Sequence, residues 1–196
     1  MRITGGEFGG RKVKAPAGDR VRPTQDRVRG ALFSMLAEIV PGARVLDLFA
    51  GSGSVGLDAF SRGAAAVVWV EGDRRHAQAL KANVAALAVD TVAATVVCCD
   101  VLRWLRTPAG LAPFDIVFAD PPYDWARENG FEAMAALLTA QGWMKPTGFF
   151  VAEQPTDLAV AVLPGWTLLR DREYGQTRLA VYRLVSQEAA TGDGNA

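Results

Sequence analysis

The clearest candidate for chemistry is the run Asp120-Pro121-Pro122-Tyr123, which directly follows the apolar segment DIVFA. Two consecutive prolines remove two backbone donors and stiffen the chain, so carbonyl oxygens are left free to accept hydrogen bonds. If the Asp120 carboxylate and the Pro121 carbonyl accept both N–H bonds of an amino group on a nucleic-acid base, the nitrogen is held with its lone pair directed at an electrophile. Tyr123 offers a flat surface on which a base can stack, a contact that contributes about 1–3 kcal/mol. In isolation the run also fits an ordinary rigid turn.

A second candidate site is the glycine-rich segment after the apolar run RVLDLF. Gly51 and Gly53 permit a tight turn and a close approach of the backbone to a ligand, and Gly56 allows the next helix to pack closely on the strand. Glu71 follows at the distance in sequence at which an acidic residue binds ribose hydroxyls. These features alone fit a dinucleotide-binding loop as well as one for another nucleoside cofactor.

Two acidic residues favour S-adenosylmethionine over a dinucleotide. Asp47 lies four residues before Gly51, where a carboxylate can bind the cationic amino-acid end of adenosylmethionine but would repel a pyrophosphate. Asp100 ends a later apolar run and can accept a hydrogen bond from the adenine amino group. It can also cap the helix that begins at Val101, and the two roles are compatible.

Other chemistries find little support in the sequence. His76 is the only histidine, which argues against a Ser-His-Asp triad and against a histidine metal site, and we expect no metal. The glycine loop lacks the Lys-Ser/Thr ending of a P-loop. The only cysteines, Cys98 and Cys99, are adjacent in an apolar run, so we expect two small buried side chains and neither a disulfide nor a zinc site.

Size and charge indicate one globular domain with an uneven charge distribution. The 196 residues suffice for a single core, and no apolar segment approaches the length of a membrane span. The N-terminus lacks the apolar stretch of a signal peptide, which predicts a cytoplasmic protein.

Residues 1–30 carry eight lysines and arginines against three acidic residues, a net charge of +5, and the rest of the chain carries the opposite charge of −5. A basic segment of this kind is typical of a polyanionic partner and equally of a solvated, flexible N-terminus.

The elements that must position these residues follow from periodicity and turn signals. We predict helices over residues 24–40, 54–62, 74–87, 101–106 and 131–141, with Thr24 as the N-cap of the first. We predict strands over residues 44–49, 66–71, 95–99, 115–119, 148–153, 167–170 and 178–184. Short apolar strands between helices predict an α/β fold with a buried, mostly parallel seven-stranded sheet, and the last two strands form an antiparallel hairpin. Both candidate sites then lie at the carboxyl ends of strands, where such sheets bind ligands.

The chain resembles a known family, the RsmD-type methyltransferases of bacterial 16S ribosomal RNA, which form N2-methylguanine. The resemblance covers residues 1–185 and rests on five motifs, RITGG with the later GR, RPTQDRVR, DLFAGSGSVG, DPPY, and YG with Leu179 and Tyr182. The DPPY motif is shared with other amino-group methyltransferases, and the RPT segment narrows the resemblance to this family.

The resemblance implies a Rossmann-like class I methyltransferase fold spanning residues 24–185 and a small basic RNA-binding extension at residues 1–23. Residues 186–196 are small, polar and glycine-containing, so we expect a disordered tail there. It implies an S-adenosylmethionine-dependent enzyme of the cytoplasm that methylates a guanine N2 amino group in 16S rRNA, within the small subunit or an assembly intermediate, and we expect a monomer. The implied catalytic residues are Asp120, Pro121, Pro122 and Tyr123. The implied cofactor-binding residues are Thr24, Asp47, Phe49, Gly51, Gly53, Glu71, Asp100 and Val101. The implied RNA contacts are Arg11, Lys12, Lys14, Arg22, Arg27 and Arg29.

The sequence departs from the family pattern at one position, and several alternative functions remain open. The family usually has Glu where this chain has Gly30, and a glycine inside a helix costs about 1 kcal/mol relative to alanine. An N6-adenine methyltransferase acting on DNA or RNA would use the same DPPY motif, although no separate target-recognition domain is evident. A protein glutamine methyltransferase would have no need of a basic segment. A non-catalytic NAD-binding or RNA-binding module would have no need of Asp47 together with the DPPY motif.

Overall fold

The computed structural model describes residues 1–14, 23–87, 93–111 and 113–185, without the side chains of residues 23–25. The helices are α1 (Pro23–Met35), α2 (Ser54–Ser61), α3 (Arg74–Ala86), α4 (Val101–Leu105), α5 (Tyr123–Asn129) and α6 (Glu132–Ala140). The strands are β1 (Arg44–Leu48), β2 (Ala66–Glu71), β3 (Ala94–Cys98), β4 (Phe114–Ala119), β5 (Met144–Pro155), β6 (Trp166–Tyr174) and β7 (Thr177–Leu184).

One seven-stranded sheet organises the chain, in the order β3-β2-β1-β4-β5-β7-β6. The first five strands run parallel, and β7 pairs antiparallel with both β5 and β6. The predicted α/β fold, with a mostly parallel sheet and an antiparallel C-terminal hairpin, is confirmed. Because β1 and β4 are neighbours while their connecting helices pass to opposite faces, the switch point lies between the ends of these two strands.

Two apolar layers cover the two faces of the sheet. On one face, side chains of α1, α2 and α3 pack on the outward residues of β1, β2 and β4, with the rings of Phe33 and Phe118 5.9 Å apart. On the other face, α4 and α6 pack around Trp143, whose indole N–H donates to the Leu105 carbonyl at 3.0 Å. Within the described residues no helix is long and apolar enough to cross a membrane.

The edge strands explain one wrong prediction. β3 is an edge of the sheet, and its residues are half-buried up to Cys98, which is exposed. Cys99 is half-buried as well, so the expectation of two buried cysteines fails. An apolar run alone does not show whether a strand lies at the edge of a sheet, because edge strands and central strands can have the same sequence pattern.

Element boundaries near prolines also differ from the prediction. Helix α1 begins at Pro23, so Thr24 lies inside the helix and the N-cap prediction is wrong. The helix ends at Met35, and the chain continues through turns in which the Val40 amide bonds the Leu36 carbonyl at 3.0 Å. Pro41 disfavours helical backbone in the residue before it, and the turns still bury the apolar side chains of Leu36 and Val40.

The segment Met1–Lys14 packs on the body of the domain. Ile3 and Val13 are buried, and an antiparallel bridge joins Arg2 to Lys12. Asp58 of α2 accepts hydrogen bonds from the backbone and the hydroxyl of Thr4, at 2.7 and 2.8 Å. These residues are therefore held in one orientation on the outer face of α2. The proposed tail at 186–196 lies outside the described residues.

Candidate active site at the ends of strands β1 and β4

Strand register brings three acidic side chains to one end and one face of the sheet. Asp47 on β1 pairs with Phe118 on β4, and Asp120 follows Phe118 by two residues, so both acids face α1. Ala119 pairs with Ala152 of β5, which places Glu153 level with Asp120 on the next strand. The sequence predicted Asp47 and Asp120 for this end of the sheet but gave no indication of Glu153.

The loop after β1 has the backbone conformation of a ligand-binding turn. Phe49 has φ 57°, the one non-glycine residue of the described chain with positive φ, and Gly51 and Gly53 follow with φ 55° and 79°. Left-handed backbone at a residue such as Phe49 costs about 1–3 kcal/mol and concentrates at functional sites. A Cβ at Gly51 would meet no atom within 4 Å, so the loop is open on the side of that glycine.

The loop is fixed from beneath by close packing and two carboxylates. A Cβ at Gly53 would collide with Leu80, and one at Gly56 with the indole of Trp69, so α2 sits tightly on the sheet. The Asp47 carboxylate accepts from the Gly56 amide at 2.8 Å, and Glu71 accepts from the Gly51 amide at 2.7 Å. The loop is therefore held in shape before any ligand binds.

Glu71 and Asp100 end the next two strands along the same edge. The second oxygen of Glu71 accepts from the Asp73 amide at 2.7 Å, and the side chain is buried. Asp100 is exposed and caps α4 through the Arg103 amide at 2.8 Å, which confirms its predicted capping role. Val101, the first residue of α4, is buried beside it. The lone pairs that Glu71 and Asp100 retain are available to donors of a ligand.

Burial and mutual repulsion make the acidic groups difficult to ionise. Burial is the main cause that raises the pKa of Asp47 to about 8, and the charges of Asp120 and Glu71 add to it against the hydrogen bond from Gly56. Burial raises the pKa of Asp120 to about 7. Burial and then the charge of Asp120 raise the pKa of Glu153 well above its ordinary value. A ligand cation at this end of the sheet would relieve this repulsion.

The DPPY segment leads from β4 directly into helix α5, a helix that is not predicted from the sequence pattern. The Pro122 carbonyl accepts from the Ala126 amide at 3.0 Å, while the Pro121 carbonyl accepts no hydrogen bond from the described residues. The Tyr123 hydroxyl bonds the Thr177 hydroxyl of β7 at 2.9 Å, which fixes the ring between α5 and the sheet. Trp125, a second aromatic residue that the sequence analysis did not select, lies 4.8 Å from the ring of Phe49.

Arg29 is the clearest correction to the predicted site. Its side chain is only 5% exposed, and its guanidinium donates to Asp58 at 2.9 Å, to Asp26 at 2.8 Å and to the Arg2 carbonyl at 2.7 Å. A guanidinium that is buried and paired in this way is not available to a phosphate, so the predicted RNA contact is wrong for Arg29. It instead joins α1, α2 and the N-terminal segment.

The other predicted RNA contacts are either exposed or outside the residues that the structure describes. Arg11, Lys12, Lys14 and Arg27 are exposed. Arg22, and the side chain of Thr24 that was predicted to close over the cofactor, lie outside the described residues.

A groove of about 520 Å³ between the N-terminal segment and α1 is lined by residues that include Arg2, Gly10, Arg27 and Gly30. A Cβ at Gly30 would meet nothing within 4 Å, so a longer side chain at that position would extend into open space beside the groove. The glycine therefore leaves the groove wider than a glutamate would.

Asn83 connects the basic segment to the cofactor loop. This buried side chain of α3 exchanges two hydrogen bonds with the backbone of Lys14, at 3.0 and 2.9 Å. Its amide also donates to the Ser52 carbonyl at 3.1 Å. Residues 1–14 and the loop after β1 are thus held in a fixed relation. Among the described residues, no group of three or more His, Cys, Asp or Glu side chains is arranged to hold a metal ion.

Comparisons with known proteins agree on one family. The model of the family described as "Conserved hypothetical protein 95" matches residues 1–183. The chain is 37% identical over 190 residues to the Ribosomal RNA small subunit methyltransferase D of Escherichia coli K12, covering 96% of this chain and 91% of that protein. It is 35% identical over 184 residues to the protein of the same name from Haemophilus influenzae, covering 94% and 92%.

A solved structure shows the same fold. The Escherichia coli protein described as "Putative methyltransferase yhhF" superposes with a TM-score of 0.85 at 34% identity, covering 95% of this chain and 99% of that one. The similarity therefore extends over the N-terminal segment, the sheet and the C-terminal hairpin alike.

Proposed function

This chain belongs to the "Conserved hypothetical protein 95" family, and we propose that it transfers a methyl group from S-adenosylmethionine to the exocyclic N2 amino group of a guanine in 16S ribosomal RNA. One observation carries the proposal. The Asp120 carboxyl group lies at the switch point together with the Pro121 carbonyl, which accepts no hydrogen bond from the described residues. Both are on the same end of the sheet as the loop held by Asp47 and Glu71. Relatives that carry the name of a small-subunit rRNA methyltransferase supply the substrate class.

The residues around the loop fit adenosylmethionine. The cofactor carries a positively charged amino group and a sulfonium, and the loop end holds three carboxyl groups whose pKa values are raised by burial and repulsion. Asp47 would bind the amino-acid end, Glu71 the ribose hydroxyls and Asp100 the adenine amino group. Gly51 and Gly53 would let the backbone approach the cofactor, and Phe49 and Val101 would offer it apolar surface. When bound, adenosylmethionine supplies an electrophilic methyl group.

Asp120 and Pro121 orient the nucleophile. The exocyclic amino group of guanine has two N–H bonds. Acceptance of both by the Asp120 carboxylate and the Pro121 carbonyl would orient the nitrogen and leave its lone pair free to attack. Formation of the N–C bond at the expense of the methyl–sulfur bond would leave a positively charged nitrogen, which must then lose one proton. Asp120, whose pKa lies at about 7, is placed to take it at physiological pH. The rings of Tyr123 and Trp125 offer surfaces against which the extruded base can stack.

The exposed basic residues of the N-terminal region are the proposed RNA contacts. Arg11, Lys12, Lys14 and Arg27 are exposed and belong to a segment with a net charge of +5. Lys14 is tied through Asn83 to the loop after β1, so phosphates held there would lie in a defined position relative to the cofactor. We propose that the enzyme acts as a monomer in the cytoplasm, on a small subunit or an assembly intermediate.

The decisive experiment is transfer of tritiated methyl from adenosylmethionine to small ribosomal subunits that lack N2-guanine methylation, followed by nucleoside analysis. We expect label in N2-methylguanosine with the wild type and none with Asp120→Ala, while that variant still binds adenosylhomocysteine. Glu38→Gln alters an exposed carboxylate that is not among the proposed site residues and serves as the control with full activity. Label in N6-methyladenosine would keep the mechanism and overturn the substrate, and no label in RNA would overturn both.

A further inference from the structure

Glu153 is an acidic residue of the site that the mechanism above leaves without a task. It follows Ala152 of β5, the partner of Ala119 in β4, so it stands beside Asp120 on adjacent parallel strands. Side chains at one level of neighbouring parallel strands emerge on the same face, with the strands about 4.8 Å apart. After burial, the charge of Asp120 is the next cause that raises the pKa of Glu153, which agrees with two carboxyl groups on the same face of neighbouring strands.

Neither carboxyl group has a partner within the described part of the chain. Other acids nearby are engaged, Asp58 by Arg29 and Thr4, and Glu71 by two backbone amides. The carboxyl groups of Asp120 and Glu153 take part in no hydrogen bond or ion pair among the described residues. Both residues are half-buried, so their carboxyl oxygens keep lone pairs that can accept from a donor. A ligand that reaches this end of the sheet can supply such donors.

Two adjacent acceptors match the edge of guanine. Guanine presents the ring N1–H and the exocyclic N2–H side by side on its Watson–Crick edge, and enzymes that extrude a base identify it by bonds to that edge. Adenine presents an amino group next to an unprotonated ring nitrogen, whose lone pair would face a carboxylate. One carboxylate can therefore hold the amino group while a second, beside it, contacts the ring nitrogen. The second accepts from the N1–H of guanine but is repelled by the lone pair of adenine N1.

We propose that Glu153 is the specificity-determining residue for the base, accepting the N1–H of the target guanine while Asp120 accepts from its N2 amino group. The inference rests on the proposed function and adds the means by which guanine is selected. A donor bonded to the ionised form lowers the pKa of a carboxyl group, so bound guanine stabilises the Glu153 carboxylate. A base with an unprotonated N1 leaves this carboxylate unpaired, and sites of this type reject such analogues strongly.

The test compares guanine with 2,6-diaminopurine at the methylated position, installed by ligation of synthetic RNA and reconstituted into the substrate particle. Diaminopurine keeps the 2-amino group but has no proton on N1. We expect the wild type to prefer guanine at least tenfold in kcat/KM, and Glu153→Gln to reduce that preference at least tenfold. The glutamine amide can accept from N1–H or, when turned, donate to the bare N1. Glu38→Gln, the same exchange at an exposed position, leaves the preference unchanged.

The ratio of the two substrates separates specificity from structure. A purely structural role of Glu153 would lower both rates together and leave the preference of Glu153→Gln equal to that of the wild type, which overturns the inference while the proposed function stands. Glu153→Asp keeps an acceptor and is expected to keep a preference for guanine, so loss of the preference in both variants also overturns it. A wild-type enzyme that methylates neither base overturns the proposed function itself.

Discussion

The Asp47 carboxylate accepts a hydrogen bond of 2.8 Å from the backbone amide of Gly56, so the end of β1 is tied to the first turn of α2. This bond favours the ionised form of a side chain that is only 2% exposed, whereas burial and two neighbouring acids favour the protonated form. The balance places the pKa of Asp47 at about 8, within the range in which the enzyme must work. A bound cation would therefore favour the ionised form of Asp47.

The affinity for adenosylmethionine should depend on pH. Binding of the cationic amino group requires ionised Asp47, so the ligand-free protein must lose a proton at any pH below about 8. We expect the dissociation constant to fall by up to tenfold per pH unit between pH 6 and 8 and to level off above, as linkage requires. Calorimetric titration in buffers of different ionisation enthalpy measures the released proton directly. Asp47→Asn should bind more weakly with little pH dependence, and a wild-type affinity that stays constant over this range would contradict the assignment.

The same acids should make the ligand-free protein less stable as the pH rises. The folded-state pKa values of Asp47 and Asp120, about 8 and about 7, exceed the ordinary value of 3.8, so the folded state holds protons that the unfolded chain has released. Their contribution to stability is present below pH 4 and is lost as the pH rises through 7 to 8. The difference between 3.8 and about 7 corresponds to at most about 4 kcal/mol. We therefore expect Asp120→Asn to be more stable than the wild type at pH 8, by up to this amount, and equally stable at pH 4. Urea denaturation at both pH values tests this, and equal stability at pH 8 would refute it.

Arg29 should matter for folding and Arg27 for RNA. Removal of one partner from a buried ion pair costs about 3–5 kcal/mol, and Arg29→Met would leave the fully buried Asp58 without its cation. Arg27→Met on the same helix removes an exposed charge and should alter the free energy of unfolding by less than about 0.5 kcal/mol. Chemical denaturation and RNA binding, measured on both variants, separate the roles. Arg29→Met with unchanged stability and weakened RNA binding would restore the original interpretation.

Local patterns predicted the central sheet well because its strands are continuous apolar runs buried on both faces. Ala66–Glu71 was predicted to the residue, and Arg44–Leu48 to within one. The polar helix Tyr123–Asn129 was missed, since its sequence YDWAREN has no apolar stripe and it begins directly after two prolines. Its end was marked by Gly130, whose φ of 61° closes the helix.

Site residues that depend on contacts between distant parts of the chain could not be predicted from the sequence. Arg29 looked like its exposed basic neighbours, and its partner Asp58 lies 29 residues away, so its burial could not be read from the sequence. Glu153 looked like the polar end of an apolar strand. Its position beside Asp120 depends on the register between β4 and β5, which are separated by two helices. Motif spacing identifies site residues that lie close together in the sequence. It does not identify residues such as Arg29 and Glu153, whose surroundings are formed by distant segments of the chain.

The basic N-terminal segment should supply measurable counterion release on RNA binding. Each phosphate neutralised by a lysine or arginine contributes about 0.7–0.9 to the slope of log affinity against log salt. Arg11 and Lys12 are exposed beside the bridge that fixes Arg2 to Lys12, so their charges are held in place when RNA arrives. We expect the double variant Arg11→Glu with Lys12→Glu to weaken RNA binding and to reduce the slope by about 2. The matched control, Arg170→Glu with Arg172→Glu on the edge strand β6, makes the same change in charge at exposed positions on the opposite edge of the sheet from β3. If both double variants alter the slope equally, the contribution is one of net charge alone, and the N-terminal segment is not a defined RNA contact.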